Sequence, residues 1–201
     1  PVHNGGESFR SCLSSVREFV LADVEVIIAV DGGTDESLTV AQTFALTSNA
    51  KVLHTPVAAG PASARNLGAQ AASGDILFFV DADVTLGADT VPQIQSIFRD
   101  RPDLAALIGS YDDAPGAANF LSQYKNLFHH YTHQTGCEDA CTFWGACGAI
   151  RREIFLKLGG FDESYRFPSV EDIELGYRLK RAGYSILLSK TVQVKHLKQW
   201  R

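Results

Sequence analysis

Apolar residues recur along the first part of the chain with two different periods. Phe9, Cys12, Leu13, Val16, Phe19 and Val20 fall three or four apart, which predicts an amphipathic helix over 7–21. Residues 24–30 then form a largely β-branched apolar run interrupted only by Glu25, the pattern of a strand covered on both faces. The turn Asp31-Gly32-Gly33-Thr34-Asp35 carries N-cap chemistry and predicts a helix to about Ser48. A short strand at 52–54 leads through Gly60-Pro61, with proline at the first helical position, into an alanine-rich helix closed by Gly74. A strand at 76–80 follows. The order α-β-α-β-α-β with short loops predicts an α/β fold, a mostly parallel sheet flanked by helices.

The second half is less regular. Its pattern predicts a helix near 89–100, a strand at 104–110, an aromatic, histidine-rich helix around 117–134, and a glycine-punctuated turn and strand at 143–148. Short helices are predicted over 151–158, closed by Gly159-Gly160, and over 171–182, closed by Gly183, with strands at 184–188 and 191–196. No repeat, low-complexity tract or linker divides the chain, so residues 1–201 are expected to form one domain, with 1–110 and 111–201 as its halves. The abrupt ends, Pro1-Val2-His3-Asn4 and Lys198-Gln199-Trp200-Arg201, read as those of a fragment of something longer.

Composition narrows the class. With 45% hydrophobic and 20% charged residues the chain can bury a substantial core. Its formal charge of −5 argues against a nucleic-acid backbone as the main partner, since phosphate binding needs clustered Lys and Arg. Four cysteines without a CxxC pair do not make a disulfide scaffold; reduced thiols and a cytoplasmic setting are the expectation. His133, Cys137 and Cys141, four apart, would share a helix face and could bind zinc, although a packed helix produces the same spacing by chance. No apolar run reaches the length of a membrane span.

The candidate chemistry sits at strand ends. In parallel sheets ligands bind beyond the carboxyl ends of the strands, and Asp31 and the pair Asp81-Ala82-Asp83 fall there. Each has an ordinary reading as turn or solvated loop acids. Together they suit a divalent cation carried by a diphosphate, because magnesium and manganese take one or two carboxylates plus substrate phosphates. Arg65 would add positive charge. Ser169-Val170-Glu171-Asp172 is also a capping-box pattern, and acids in a first turn favour the helix dipole.

The segments Asp31-Gly32-Gly33-Thr34-Asp35-Glu36-Ser37, Gly60-Pro61-Ala62-Ser63-Ala64-Arg65-Asn66, Asp81-Ala82-Asp83, Gly159-Gly160-Phe161-Asp162-Glu163 and Glu171-Asp172-Ile173-Glu174-Leu175 resemble, in order and spacing, those of glycosyltransferase family 2, which has the GT-A fold. The resemblance covers nearly the whole chain. It implies a nucleotide-diphosphate-sugar donor, a divalent metal (Mn2+ or Mg2+), inversion at the anomeric carbon, and a sugar or lipid-linked acceptor. By position it implies that His3 lies beside the base, Asp31 contacts base or ribose, and Arg65 lines the nucleotide pocket. Asp81 would touch ribose, Asp83 would hold the metal, Asp172 would be the general base, and His196 would reach the metal or diphosphate. The family's paired acids are reduced here to Asp31, with Val30 before it, and the family's first strand would precede Pro1. Candidates for the acceptor surface are Phe128, His129, His130, Tyr131, His133, Phe143 and Trp144. The basic, aromatic run 195–201 suggests a membrane-associated segment beyond Arg201, at the cytoplasmic face.

Rival readings remain open at this point. A sugar nucleotidyltransferase of related fold would carry a glycine-rich, basic loop where this chain has His3-Asn4-Gly5-Gly6-Glu7. A non-catalytic sugar-nucleotide-binding module would need no base at Asp172. A receiver domain would show a phospho-acceptor and lysine pattern that is not evident.

Overall fold

The computed structural model describes residues 1–20 and 23–200, so the predicted end of the first helix at Leu21 lies outside the described residues. Among them the elements run α1 (Gly6–Phe19), β1 (Ile27–Asp31), α2 (Ser37–Leu46), β2 (Lys51–Thr55), α3 (Pro61–Ala71), β3 (Ile76–Val80) and β4 (Val84–Leu86). They continue with α4 (Thr90–Asp100), β5 (Ala106–Tyr111), α5 (Phe120–Thr135), β6 (Cys147–Arg151), α6 (Arg152–Lys157), α7 (Glu171–Arg181) and β7 (Ile186–His196). The α/β class expected from the periodicities is the class observed.

The strands form two sheets. β1 and β2 pair in parallel, Ile27 opposite Lys51 through Asp31 opposite Thr55. The other five take the order β3-β6-β5-β7-β4, in which β5 and β7 are parallel while β6 runs antiparallel to both its neighbours and β4 antiparallel to β7. Alternation along the central strands feeds two apolar layers. Leu77 and Phe79, with Ile150, Ile108 and Ile186, meet α6 and α7 through Phe155, Leu175 and Leu179. Leu107, Ala149, Val192 and Val194 meet α4 through Val91, Ile94 and Phe98. A third cluster joins α1 and α2 to β1 through Phe9, Leu13, Val30, Ala41 and Phe44.

Two local expectations are corrected. Residues 184–188 and 191–196 are not two strands. One strand, β7, spans them, and its register on β5 shifts from Ile108 opposite Leu188 to Ser110 opposite Gln193. Two steps on β5 are matched by five on β7, so three extra residues bulge out at the polar stretch Ser189-Lys190-Thr191. An odd insertion turns the following side chains to the other face of the sheet. Accordingly Leu188 belongs to one apolar layer and Val192 to the other. The three-residue β4 was also absent from the periodicity, being too short to show a period.

Val2 forms a parallel bridge to Val30, its N–H donating to Ala29 O and its carbonyl accepting from Asp31 N. Beyond it an apolar cleft of about 430 Å³, lined among others by Leu13, Ile28, Ala64, Phe78 and Val80, lies between β1 and β3.

The seating of α7 depends on Gly176. A Cβ there would run into the backbone of Thr142 and Phe143. Ala in place of Gly normally favours a helix by about 1 kcal/mol. Here the backbone contact cannot give way, so Gly176→Ala is expected to destabilise by about 1–3 kcal/mol, the range for overpacking. The midpoint of urea unfolding checks it.

Candidate active site

Two of the sequence-selected residues meet beside β1. Asp31 ends that strand and is buried. Its carboxylate accepts from Ala59 N (2.8 Å), Gly60 N (2.8 Å) and Thr55 Oγ1 (2.9 Å), so it fastens the loop that enters α3. His3 Nδ1 donates to Asp31 O at 2.7 Å, which leaves Nε2 facing Asn4 Nδ2 at 3.4 Å. Asn4, which the sequence reading passed over, holds the next turn: its Oδ1 accepts from Thr34 N and Asp35 N.

The two aspartates after β3 face different partners. Asp81 Oδ1 accepts from Arg65 Nη2 at 2.7 Å. Asp83 Oδ2 lies 3.6 Å from His196 Nε2. The two acids therefore coexist because each faces a different partner, the Arg65 guanidinium from α3 and the His196 ring from β7. Burial alone would push the Asp83 carboxyl up, but the neighbouring His196 ring and the Lys198 charge outweigh it and hold it below the usual carboxylate range. Asp83 keeps about a third of its side-chain surface exposed (32%). His196 is placed by the sheet, since Val84 and His196 are ladder partners, and its ring stacks on Tyr111 at 4.3 Å and 5°.

Arg65 is the hub. It rises from the second turn of α3, is 6% exposed, and gives Nη1 to Glu171 Oε1 at 2.8 Å while Nη2 holds Asp81. Its guanidinium lies 5.4 Å from the centre of the Phe161 ring. Gly145 permits this, because a Cβ there would come within 2.9 Å of Arg65 Cζ and Nη2. Only Nε lacks a partner. Arg65 is thus committed to two carboxylates, which the resemblance alone did not disclose.

Glu171 opens α7 and delivers the neighbouring Asp172 to this cluster. The capping box expected from Ser169 does not form. Val170 occupies the N-cap, and Glu171 Oε2 instead accepts from Ser169 N. Asp172 accepts from Gly145 N (3.1 Å) and Ile173 N (2.8 Å). Burial first, and then the Glu171 charge, raise its carboxyl above the usual range despite those hydrogen bonds and Arg65.

The predicted acceptor surface divides. His129 and Trp144 pack on Tyr111, and His133 packs on both of them, at ring separations of 4.5–5.0 Å. His130 Nδ1 donates to Tyr111 O, and Phe143 is buried in the core. Phe128 and Tyr131 instead face outward. Burial, with His133 and His196 nearby, pushes His129 down to about 4, so it is neutral near pH 7. The helix-face zinc site is overturned. α5 stops at Thr135, before Cys137 and Cys141, and among the described residues no three His, Cys, Asp or Glu side chains converge on a point.

The α/β architecture, with acids after β1 and β3, is the GT-A fold that the resemblance implied, and solved structures share it. The mannosyltransferase PcManGT from Pyrobaculum calidifontis, solved with GDP-Man and Mn2+, superposes with a TM-score of 0.78 at 21% identity, over 100% of this chain and 56% of that one. The family model Glycosyl transferase family 2 matches residues 1–159, and the chain belongs to that family. Among curated relatives, the pre-mycofactocin glycosyltransferase of Mycobacterium tuberculosis (strain ATCC 25618 / H37Rv) is 26% identical over 98% of this chain and 41% of its own length. The glucosyl-dolichyl phosphate glucuronosyltransferase of Haloferax volcanii is 23% identical over 94% of this chain and 64% of its own. The chain thus spans less than two thirds of either relative.

Removing Glu171 strands the buried Arg65 with half its compensation. Breaking a buried pair from one side costs about 3–5 kcal/mol. Glu171→Ala is expected to lose that much by urea unfolding.

Proposed function

We propose that the domain transfers a sugar, with inversion, from a nucleotide-diphosphate-sugar donor to an acceptor hydroxyl. The observation that carries the reading is the Asp81–Arg65–Glu171 bridge, which ties the acids after β3 to the start of α7 and hence to Asp172. In this reading His3 and Asp81 of the first half face the nucleotide, Asp31 and Arg65 hold them in place from behind, and the second half receives the acceptor. A lipid-linked acceptor is favoured by the likeness to the dolichyl phosphate enzyme.

Asp172 takes the acceptor proton as the hydroxyl oxygen forms its bond to the anomeric carbon. The bond from that carbon to the diphosphate oxygen breaks with its electron pair on the leaving group. General base work of this kind contributes about 10²- to 10⁴-fold. A raised carboxyl suits it, since a base nearer neutral pH holds the proton better. Asp83 and His196 fit a divalent cation that arrives with a diphosphate, because one carboxylate, one imidazole and phosphate oxygens are an ordinary set. Such a cation supplies Lewis-acid neutralisation of the leaving group.

Two experiments test the reading. Calorimetric titration with UDP and GDP is expected to show binding with manganese that EDTA and Asp83→Ala abolish; equal affinity in all cases removes Asp83 from the metal site. The second uses Asp172→Asn, expected to lose at least about 10²-fold in transfer while keeping donor affinity. A carboxyl raised in the fold contributes stability while protonated and loses that contribution as pH climbs from its unfolded value, about 3.9, through its folded one. At neutral pH the Asn variant should therefore melt no more than a few degrees below the parent. Its parent's acid limb in kcat/KM should lie above the ordinary aspartate value. Transfer near the parent rate would place the base elsewhere.

A further inference from the structure

Helix α5 is built inside out. A helix on the surface of a soluble domain turns its apolar stripe inward and its polar face to water. On α5 the fully buried side chains are Ser122 and Asn126. Asn126 Nδ2 donates to Asp112 O, and Ser122 Oγ accepts from Trp200 N. The opposite stripe, Phe120, Tyr124, Leu127, Phe128 and Tyr131 at spacings of three and four, is exposed, Phe120 at 83% and Tyr131 at 63%. Phe120, Tyr124 and Phe128 stack in sequence along it with ring centres 6.0–6.3 Å apart. Nothing in the domain's own folding requires so much aromatic surface in water.

Charge identifies what covers it. Residues 114–137 contain no Asp or Glu, and residues 175–201 contain none either while carrying seven Lys and Arg, in a chain whose net charge is −5. Those two acid-free segments lie together. Trp200 sits against Ser122, with Lys125 Nζ 3.7 Å and Lys198 Nζ 4.4 Å from its ring centre. At the other end of the helix Gln134 Nε2 donates to Lys190 O. The stripe is therefore edged by exposed lysines and a tryptophan. A second copy of this chain is a poor partner, because a two-fold contact through the stripe would set Lys125 and Lys198 against their own images. Aromatic rings with flanking lysines suit the headgroup level of an anionic bilayer, where Lys stems snorkel and an amphipathic helix lies in the interface plane.

We infer that the Phe120–Tyr131 stripe of α5, with Lys125, Lys198 and Trp200, is a peripheral docking face for an anionic lipid surface. This locus belongs to the domain itself and differs from a segment beyond Arg201. It does not depend on the donor chemistry, and its test reads binding alone. No helix among the described residues is long and apolar enough to cross a membrane, in keeping with a contact that lies on the surface.

Co-sedimentation with vesicles of phosphatidylcholine, alone or with about one third phosphatidylglycerol, tests it. The parent is expected to sediment with the anionic vesicles at low salt and to be released at high salt. The triple variant Phe120→Ser, Tyr124→Ser, Phe128→Ser should lose at least about tenfold in partitioning, since binding scales with buried apolar area. Lys125→Glu should lose about fivefold or more, because each basic residue near the surface contributes about one elementary-charge interaction of that size. If the triple variant does not match the parent's melting curve, Phe120→Ser, at the most exposed position, replaces it with a several-fold loss expected. Absence of parent binding to anionic vesicles overturns the inference, as does unchanged binding by folded stripe variants. A parent that binds no vesicle but forms a dimer dissolved by the stripe substitutions assigns the face to a second copy and overturns it equally.

Discussion

One guanidinium, Arg65, is shut inside the protein between two carboxylates drawn from distant parts of the chain. Asp81 lies 16 positions away and Glu171 lies 106. Taking such charges from water costs several kcal/mol each, and only close, well-directed partners offset it. The arrangement thus tolerates little displacement of any of the three. Because Asp81 follows β3 and Glu171 begins α7, the geometry of the cluster also fixes where that strand ends relative to a surface helix. The clearance at Gly145 and the close approach at Gly176 serve the same seat, the one beneath the guanidinium and the other beneath the helix.

Much of the fold is readable from periodicity, and the reasons it fails elsewhere are physical. The helices α1, α3 and α4 and the strands β1, β3 and β5 each show a period or an unbroken apolar run long enough to register. β4 has three residues and no period to display. The polar stretch Ser189-Lys190-Thr191 looks like the end of a strand, yet β5 continues beside it and the ladder absorbs three residues as a bulge. Pairing between strands far apart in sequence decides such cases, and local pattern does not contain it.

The candidate site divides similarly. Asp31, Arg65, Asp81, Asp83 and Asp172 stand out because acids and an arginine fall at strand ends and helix starts, where backbone geometry gathers them. Glu171 does not stand out, since a glutamate in a first helical turn is already explained by the helix dipole. Its partner across 106 residues is visible only in three dimensions. Tyr111, which carries the His196 ring, reads in the sequence as one more apolar strand residue. The aromatic residues of α5 were legible as an unusual composition, but which of them face in and which face out depends on Asn126 and Ser122 claiming the inner side.

The placing of His196 opposite Asp83 has a consequence of a different kind. These two residues come from strands whose alignment, Val84 against His196, can change only in whole residues. Small side-chain adjustments tune their separation, but nothing moves one past the other by a fraction of a step. The β7 bulge sets the count, acting like a spacer in a ratchet. Sequences that gain or lose one residue there would switch His196 between two faces of the sheet, so variation in this segment should arrive in even increments or be matched by a compensating change in β4.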